Sequence, residues 1–122
     1  MRNGALRVLI LEDEVLVALM LEDMLTHLGY QVCGPAYTLS DARDLLQRKA
    51  FDAALLDANL AGESSLAFAG QLTDRGIPFA FMTGYSQEAT GHFPDVPILR
   101  KPYTQDQIAA TLRKLGALTP SL

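Results

Sequence analysis

At 122 residues the chain has room for one domain, residues 1–122, and little room for a second. A content of 49% hydrophobic and 20% charged residues excludes a disordered chain, and the longest apolar run, Val15 to Leu21, is far too short to cross a bilayer. The net charge is -4, and basic residues adjoin only in the separate pairs Arg48-Lys49, Arg100-Lys101 and Arg113-Lys114, so no stripe exists for nucleic acid.

A lone cysteine, Cys33, builds no disulfide framework and fits a reducing compartment. Glu12, Asp13 and Glu14 break the apolar stretch after Arg7, which leaves no signal-peptide layout. The expected location is cytoplasmic. Met1 stands close to the first predicted strand, and this points to a stand-alone protein.

Leu6 to Leu11 is apolar and ends abruptly in acids, as a buried parallel strand does. Glu14 to Leu28 follows with helical spacing at Val15, Leu19, Met24 and Leu28, closed by Gly29 as a C-cap. Gln31 to Ala36 reads as the second strand. Thr38 and Asp41 have capping-box spacing and open a helix through Lys49. Phe51 to Asp57 is the third strand, Asn59 to Ser64 a loop, and Leu66 to Arg75 a helix stopped by Gly76. Ile77 to Met82 is the fourth strand, with Pro78 confined to its start. Ser86 to Thr90 could start a short helix, and Val96 to Arg100 is the fifth strand. Thr104 and Gln107 form a second capping box, opening a helix to about Leu115. A β-α order repeated five times implies an α/β fold, with a parallel sheet and helices on both faces.

In open parallel sheets, sites form beyond the carboxyl ends of the strands. Those ends carry Glu12 and Asp13, then Asp57, Thr83 and Lys101. Three clustered carboxylates repel one another unless a cation neutralises them. All-oxygen ligands suit a hard ion that keeps water, and Mg²⁺ fits that description. An aspartate can accept a phosphoryl group, while metal, hydroxyl and ammonium stabilise the charge in transfer. Singly, each residue also suits a plain structural role: Glu12-Asp13 as helix-start acids, Asp57 in a turn, Thr83 as a satisfied hydroxyl, Lys101 on the surface.

The segments Val8-Leu9-Ile10-Leu11-Glu12-Asp13-Glu14, Ala54-Leu55-Leu56-Asp57 and Lys101-Pro102-Tyr103 resemble the three signatures of CheY-like response-regulator receiver domains, over essentially the whole chain. The resemblance implies a flavodoxin-like sheet of order 2-1-3-4-5 with five helices. It also implies that Asp57 is the phosphoacceptor, that Asp13 binds Mg²⁺ directly, that Glu12 acts through water, and that the Asn59 carbonyl completes the ligands. Thr83 and Lys101 would grip the phosphoryl oxygens, and Lys101-Pro102 would be a cis bond. The implied role is two-component signalling, with a sensor histidine kinase as donor. Output would pass through protein contacts or a phosphate sink, without enzymatic activity, nucleic acid or membrane.

Asp57 to Glu63, Arg75 to Phe79 and Phe81-Met82-Thr83-Gly84-Tyr85 further resemble the "FAT GUY" receivers, which are associated with HWE/HisKA2-type kinases. Two positions depart from the general receiver pattern. Ala61 replaces a usual proline, and Ile98 stands where an aromatic switch residue is usual. Tyr85 and the stretch Gly84 to Pro97 are therefore expected to carry the switch. A receiver-like module that is never phosphorylated is the competing reading. Asn59, where a phosphatase would want a second aspartate, and the lack of a glycine-rich loop after the first strand disfavour an enzyme on the same fold.

Overall fold

The computed structural model describes residues 6–60, 62–84 and 93–118. In chain order these form β1 (Arg7–Leu11), α1 (Val15–His27), β2 (Gln31–Ala36), α2 (Leu39–Gln47) and β3 (Ala53–Asp57). Then come β4 (Asn59–Leu60), β5 (Glu63–Ser64), α3 (Leu66–Asp74), β6 (Phe79–Thr83), β7 (Ile98–Arg100) and α4 (Gln105–Leu118). Five strands make one parallel sheet in the order β2-β1-β3-β6-β7, which is 2-1-3-4-5 once the short β4–β5 pair is set aside.

Alternation along the strands sends side chains to two layers. Leu9, Leu11, Ala54, Leu56, Phe79 and Phe81 meet α2 and α3 through Leu39, Leu46, Phe68 and Leu72. Val8, Ile10, Ala53, Leu55, Ala80 and Met82 meet α1 and α4 through Leu21, Leu25, Ile108 and Leu112. Each fully buried Leu or Phe among them contributes about 1.5–3 kcal/mol. Arg7, the one charge inside β1, is tied by its guanidinium to Asp52 at 3.0 and 3.2 Å, which fixes the start of β1 against the start of β3.

Helix ends follow their local chemistry. After α1, Gly29 takes φ +95, its N–H reaching the Thr26 carbonyl and that of Tyr30 the Leu25 carbonyl, both at 3.0 Å. This is a Schellman C-cap. Thr38 Oγ1 accepts from the Asp41 N–H at 3.1 Å and starts α2. At α4 the capping box is reciprocal: Gln107 N–H donates to Thr104 Oγ1 at 3.1 Å, and Thr104 N–H donates to Gln107 Oε1 at 2.8 Å.

Several expectations need correction. Val15 and Leu19 point outward, Met24 and Leu28 are half-buried, and Ala18, Leu21 and Leu25 make the buried face of α1. A helix that is apolar nearly all round has no single periodic face to read. Asn59 to Ser64 closes as a small antiparallel hairpin instead of an open loop, pairing Asn59 with Ser64 and Leu60 with Glu63. Asn59 Oδ1 accepts the Gly62 N–H at 3.0 Å across its turn. β3 begins at Ala53, after Asp52 is taken up by Arg7. β6 begins only after Pro78, whose carbonyl accepts the Ala54 N–H at 3.1 Å, and it extends to include Thr83. β7 likewise begins after Pro97. α4, expected to reach about Leu115, runs on to Leu118. Four helices are present among the described residues; the short one expected at Ser86 to Thr90, and Tyr85, lie outside them.

Candidate functional site

The parallel register delivers strand ends to one rim. Leu11 pairs with Leu56, Asp57 with Met82, and Thr83 with Arg100, so the residues that end or follow these strands are brought together. Glu12 and Asp13 follow β1, Asp57 closes β3, Thr83 closes β6 and Lys101 follows β7. Carboxylate oxygens of Glu12, Asp13 and Asp57 lie within 4.8 Å of one another. Glu12 is fully buried, Asp57 and Thr83 are nearly so, and Asp13 is partly exposed.

Backbone and side-chain bonds hold these groups in place. Glu12 Oε2 accepts the Glu14 N–H at 3.1 Å, and Asp57 Oδ1 accepts the Asn59 N–H at 3.2 Å. Lys101 N–H donates to the Thr83 carbonyl at 2.8 Å, which joins the last two strand ends at the backbone. Lys101 Nζ donates to Glu12 Oε1 at 2.7 Å and to Asp57 Oδ2 at 3.3 Å. Burial opposes the charge on Lys101, but the bond to Glu12, the fields of Asp57 and Glu12 and the bond to Asp57 outweigh it. Its pKa is held above the ordinary lysine value. Asn59 is exposed at the rim, its side chain engaged with Gly62. The Lys101-Pro102 bond is cis, as the resemblance implied, and so is Gly34-Pro35.

Asp13, Asp57, Asn59, Thr83 and Lys101 open onto a cavity of about 790 Å³. Its remaining wall is largely apolar, with Val17, Met20, Leu21 and Met24 from α1 and Pro102 and Tyr103 beyond β7. The sequence reading missed this apolar extension and the part Tyr103 plays in it. Tyr103 immediately follows Lys101-Pro102, and that adjacency was the available signal. The Tyr103 hydroxyl is buried and has no hydrogen-bond partner among the described residues. A stranded group of this kind costs about 1–3 kcal/mol. Burial pushes its pKa up; Lys101 acts to lower it, and Glu12 and Asp57 act to raise it further.

This constellation can neutralise a hard cation with three carboxylates, and it presents an ammonium and a hydroxyl beside a nearly buried aspartate. The donor set is all oxygen, which fits Mg²⁺.

Comparison with known proteins agrees with this geometry. The model of the response regulator receiver domain matches residues 8–113. The chain is 29% identical over 122 residues to the sensory transduction protein LytR of Streptococcus agalactiae, covering 93% of this chain and 49% of that protein. It spans no more than about half the length of the curated relatives it matches. Among solved structures, SdrG from Sphingomonas melonis Fr1 is 40% identical with a TM-score of 0.83, covering 93% of this chain and 98% of that one. The receiver domain of the Erythrobacter litoralis PhyR response regulator is 28% identical with a TM-score of 0.84, covering 98% and 95%. With the matched segment running from β1 into α4, the chain belongs to the response regulator receiver domain family and to two-component signalling.

Proposed function

We propose that the chain acts as a single receiver domain that takes a phosphoryl group onto Asp57 from a sensor histidine kinase. The observation that carries this reading is the meeting of Glu12, Asp13 and Asp57 within 4.8 Å, with Lys101 Nζ bonded to two of the three. An Asp57 oxygen forms the bond to phosphorus as the donor's phosphorus–nitrogen bond breaks, and the charge stays on the phosphoryl oxygens. Lys101 and Thr83 serve as the ammonium and hydroxyl for those oxygens. Glu12, Asp13, Asp57 and the Asn59 carbonyl are the residues that would hold Mg²⁺. When bound, the ion supplies charge neutralisation for the carboxylates and the phosphoryl group.

The donor is a protein docking on α1. All the exposed large apolar side chains among the described residues lie there: Val15, Leu16, Leu19 and Met20. Met20 is also part of the cavity wall, so the apolar face runs directly to Asp57. A patch of this kind marks a protein contact. The "FAT GUY" likeness favours an HWE/HisKA2-type kinase, in the cytoplasm, with output through protein contacts or phosphate drainage and no enzymatic step on other molecules. No helix among the described residues is long and apolar enough to cross a membrane.

The test is intact mass after incubation with acetyl phosphate and Mg²⁺. One phosphoryl group should appear, and it should vanish with EDTA or in Asp57→Asn. Labelling that survives Asp57→Asn overturns the assignment.

A further inference from the structure

The Tyr103 hydroxyl is the one buried side-chain polar atom without a hydrogen-bond partner among the described residues. Native chains rarely leave such a group stranded, and each instance asks for an explanation. Its ring packs against the layer that holds Leu21, Leu25, Ile108 and Leu112, and it forms part of the cavity wall that also contains Asp57 and Lys101. A phenylalanine would supply the same packing with no polar atom to strand. Among the described residues, then, nothing engages that hydroxyl.

That hydroxyl sits within the fields of Lys101, Glu12 and Asp57, the groups whose charge balance changes on phosphorylation. A phosphoryl group on Asp57 brings three strong acceptor oxygens and nearly two negative charges. Lys101, now shared between Glu12 and Asp57, is drawn toward it, and one residue of restricted backbone, Pro102, joins Lys101 to Tyr103.

We propose that Tyr103 contacts the phosphoryl group of the phosphorylated site: its hydroxyl donates a hydrogen bond to the phosphoryl oxygens on Asp57, and its ring then screens that group from water. The proposal rests on the Asp57 reading above. The chain has isoleucine at position 98, and Tyr103 is an aromatic in the wall of the cavity at Asp57. In the loss of the group, a water oxygen bonds to phosphorus as the phosphorus–oxygen bond to Asp57 breaks. The products are the free carboxylate and inorganic phosphate, and the water's proton passes to phosphate or solvent. Screening by Tyr103 slows the approach of that water.

The full chain is compared with Tyr103→Phe and Tyr103→Leu. Without metal, Tyr103→Phe should raise the melting temperature by roughly 3 °C or more, because it removes the stranded hydroxyl, and Tyr103→Leu should lower it. After acetyl phosphate is removed, intact mass follows the half-life of the phosphorylated form. Both variants should shorten it at least threefold. A Tyr103→Phe protein with wild-type half-life, or with no gain in melting temperature, overturns the proposal and leaves a packing ring. A wild-type chain that takes no label at all sinks the Asp57 reading itself, so the two failures are distinguishable.

Discussion

Lys101 Nζ stands 2.7 Å from Glu12 Oε1, and the glutamate it faces is fully buried. The same ammonium is 3.3 Å from Asp57, so at rest one lysine compensates two carboxylates of the acidic cluster. Removing it leaves Glu12 as an uncompensated buried charge. Breaking a fully buried pair costs about 3–5 kcal/mol. Lys101 keeps 22% of its side chain exposed, which lowers the expectation for Lys101→Met to about 1–3 kcal/mol in the absence of metal.

Magnesium should then stabilise Lys101→Met more than the wild type, because in the variant only the metal relieves the carboxylate repulsion. Thermal melts with and without millimolar Mg²⁺ check this. An equal shift in both proteins would show that lysine and metal do not act on the same carboxylates.

Alkaline pH should weaken the fold. Cys33, Tyr103 and Lys101 all have folded pKa values raised above their ordinary values of 9.0, 10.0 and 10.5. Burial is the cause for Cys33 and Tyr103; for Lys101 the neighbouring carboxylates overcome burial. Between its ordinary value and its raised value, each group holds its proton in the folded chain after losing it in the unfolded one. Stability therefore falls as pH rises through that window. Lys101 contributes fully below its ordinary 10.5 and loses its contribution as pH climbs through its folded pKa. Melts from about pH 8 to about pH 11 should be level at first and then decline. Tyr103→Phe should decline less steeply than the wild type.

Strand ends were legible because parallel buried strands read as apolar runs, and here three of them run directly into chemistry: Leu11 into Glu12, Leu56 into Asp57, Leu99-Arg100 into Lys101. Thr83 was legible as a site residue although the expected strand stopped at Met82, since a shift of one residue leaves it at the same rim. The order of the strands came from resemblance, because alternation alone implies crossovers without saying on which side each strand is added. The orientation of α1 was illegible for a physical reason. From Val15 to Leu21 every side chain is apolar, so the pattern is consistent with several buried faces, and packing against Ile10 and Leu55 selects Ala18, Leu21 and Leu25. For Tyr103 the adjacency to Lys101-Pro102 signalled its place at the rim, but the burial of its hydroxyl without a partner among the described residues arises from tertiary packing.

Lys49 offers a local test of this reading. It is the only non-glycine residue with positive φ among the described residues, at φ 54. It occupies the Schellman position after α2, its N–H reaching the Leu46 carbonyl at 3.0 Å while that of Ala50 reaches Leu45 at 3.2 Å. Gly29 and Gly76 fill the equivalent positions after α1 and α3. The left-handed conformation costs a side-chain-bearing residue about 1–2 kcal/mol, and glycine's freedom in the unfolded chain returns about 0.4–1 kcal/mol of that. Lys49→Gly should therefore stabilise the protein, by up to about 1.6 kcal/mol. Urea unfolding would show a higher midpoint with an unchanged slope, and a lower midpoint would contradict the strain.

A substitution at Leu16 on α1 tests the proposed docking of the donor apart from the chemistry at Asp57. Leu16 is 75% exposed, the highest of the four outward apolar residues of the helix. It makes no part of the buried layer, so Leu16→Gln should change stability by no more than about 0.5 kcal/mol. Nor does Leu16 line the cavity at Asp57, so labelling by acetyl phosphate should proceed at the wild-type rate. In the proposed docking, transfer from a phosphorylated histidine kinase depends instead on burying Val15, Leu16, Leu19 and Met20 against the donor. Removing one large apolar side chain from such a contact costs about 1–3 kcal/mol, which is roughly a five- to hundredfold fall in the transfer rate at limiting protein. The measurement is a pair of labelling time courses on the same variant, one from acetyl phosphate and one from the phosphorylated kinase. A variant slowed equally by both donors would place the defect at Asp57, and one slowed by neither would remove α1 as the docking face.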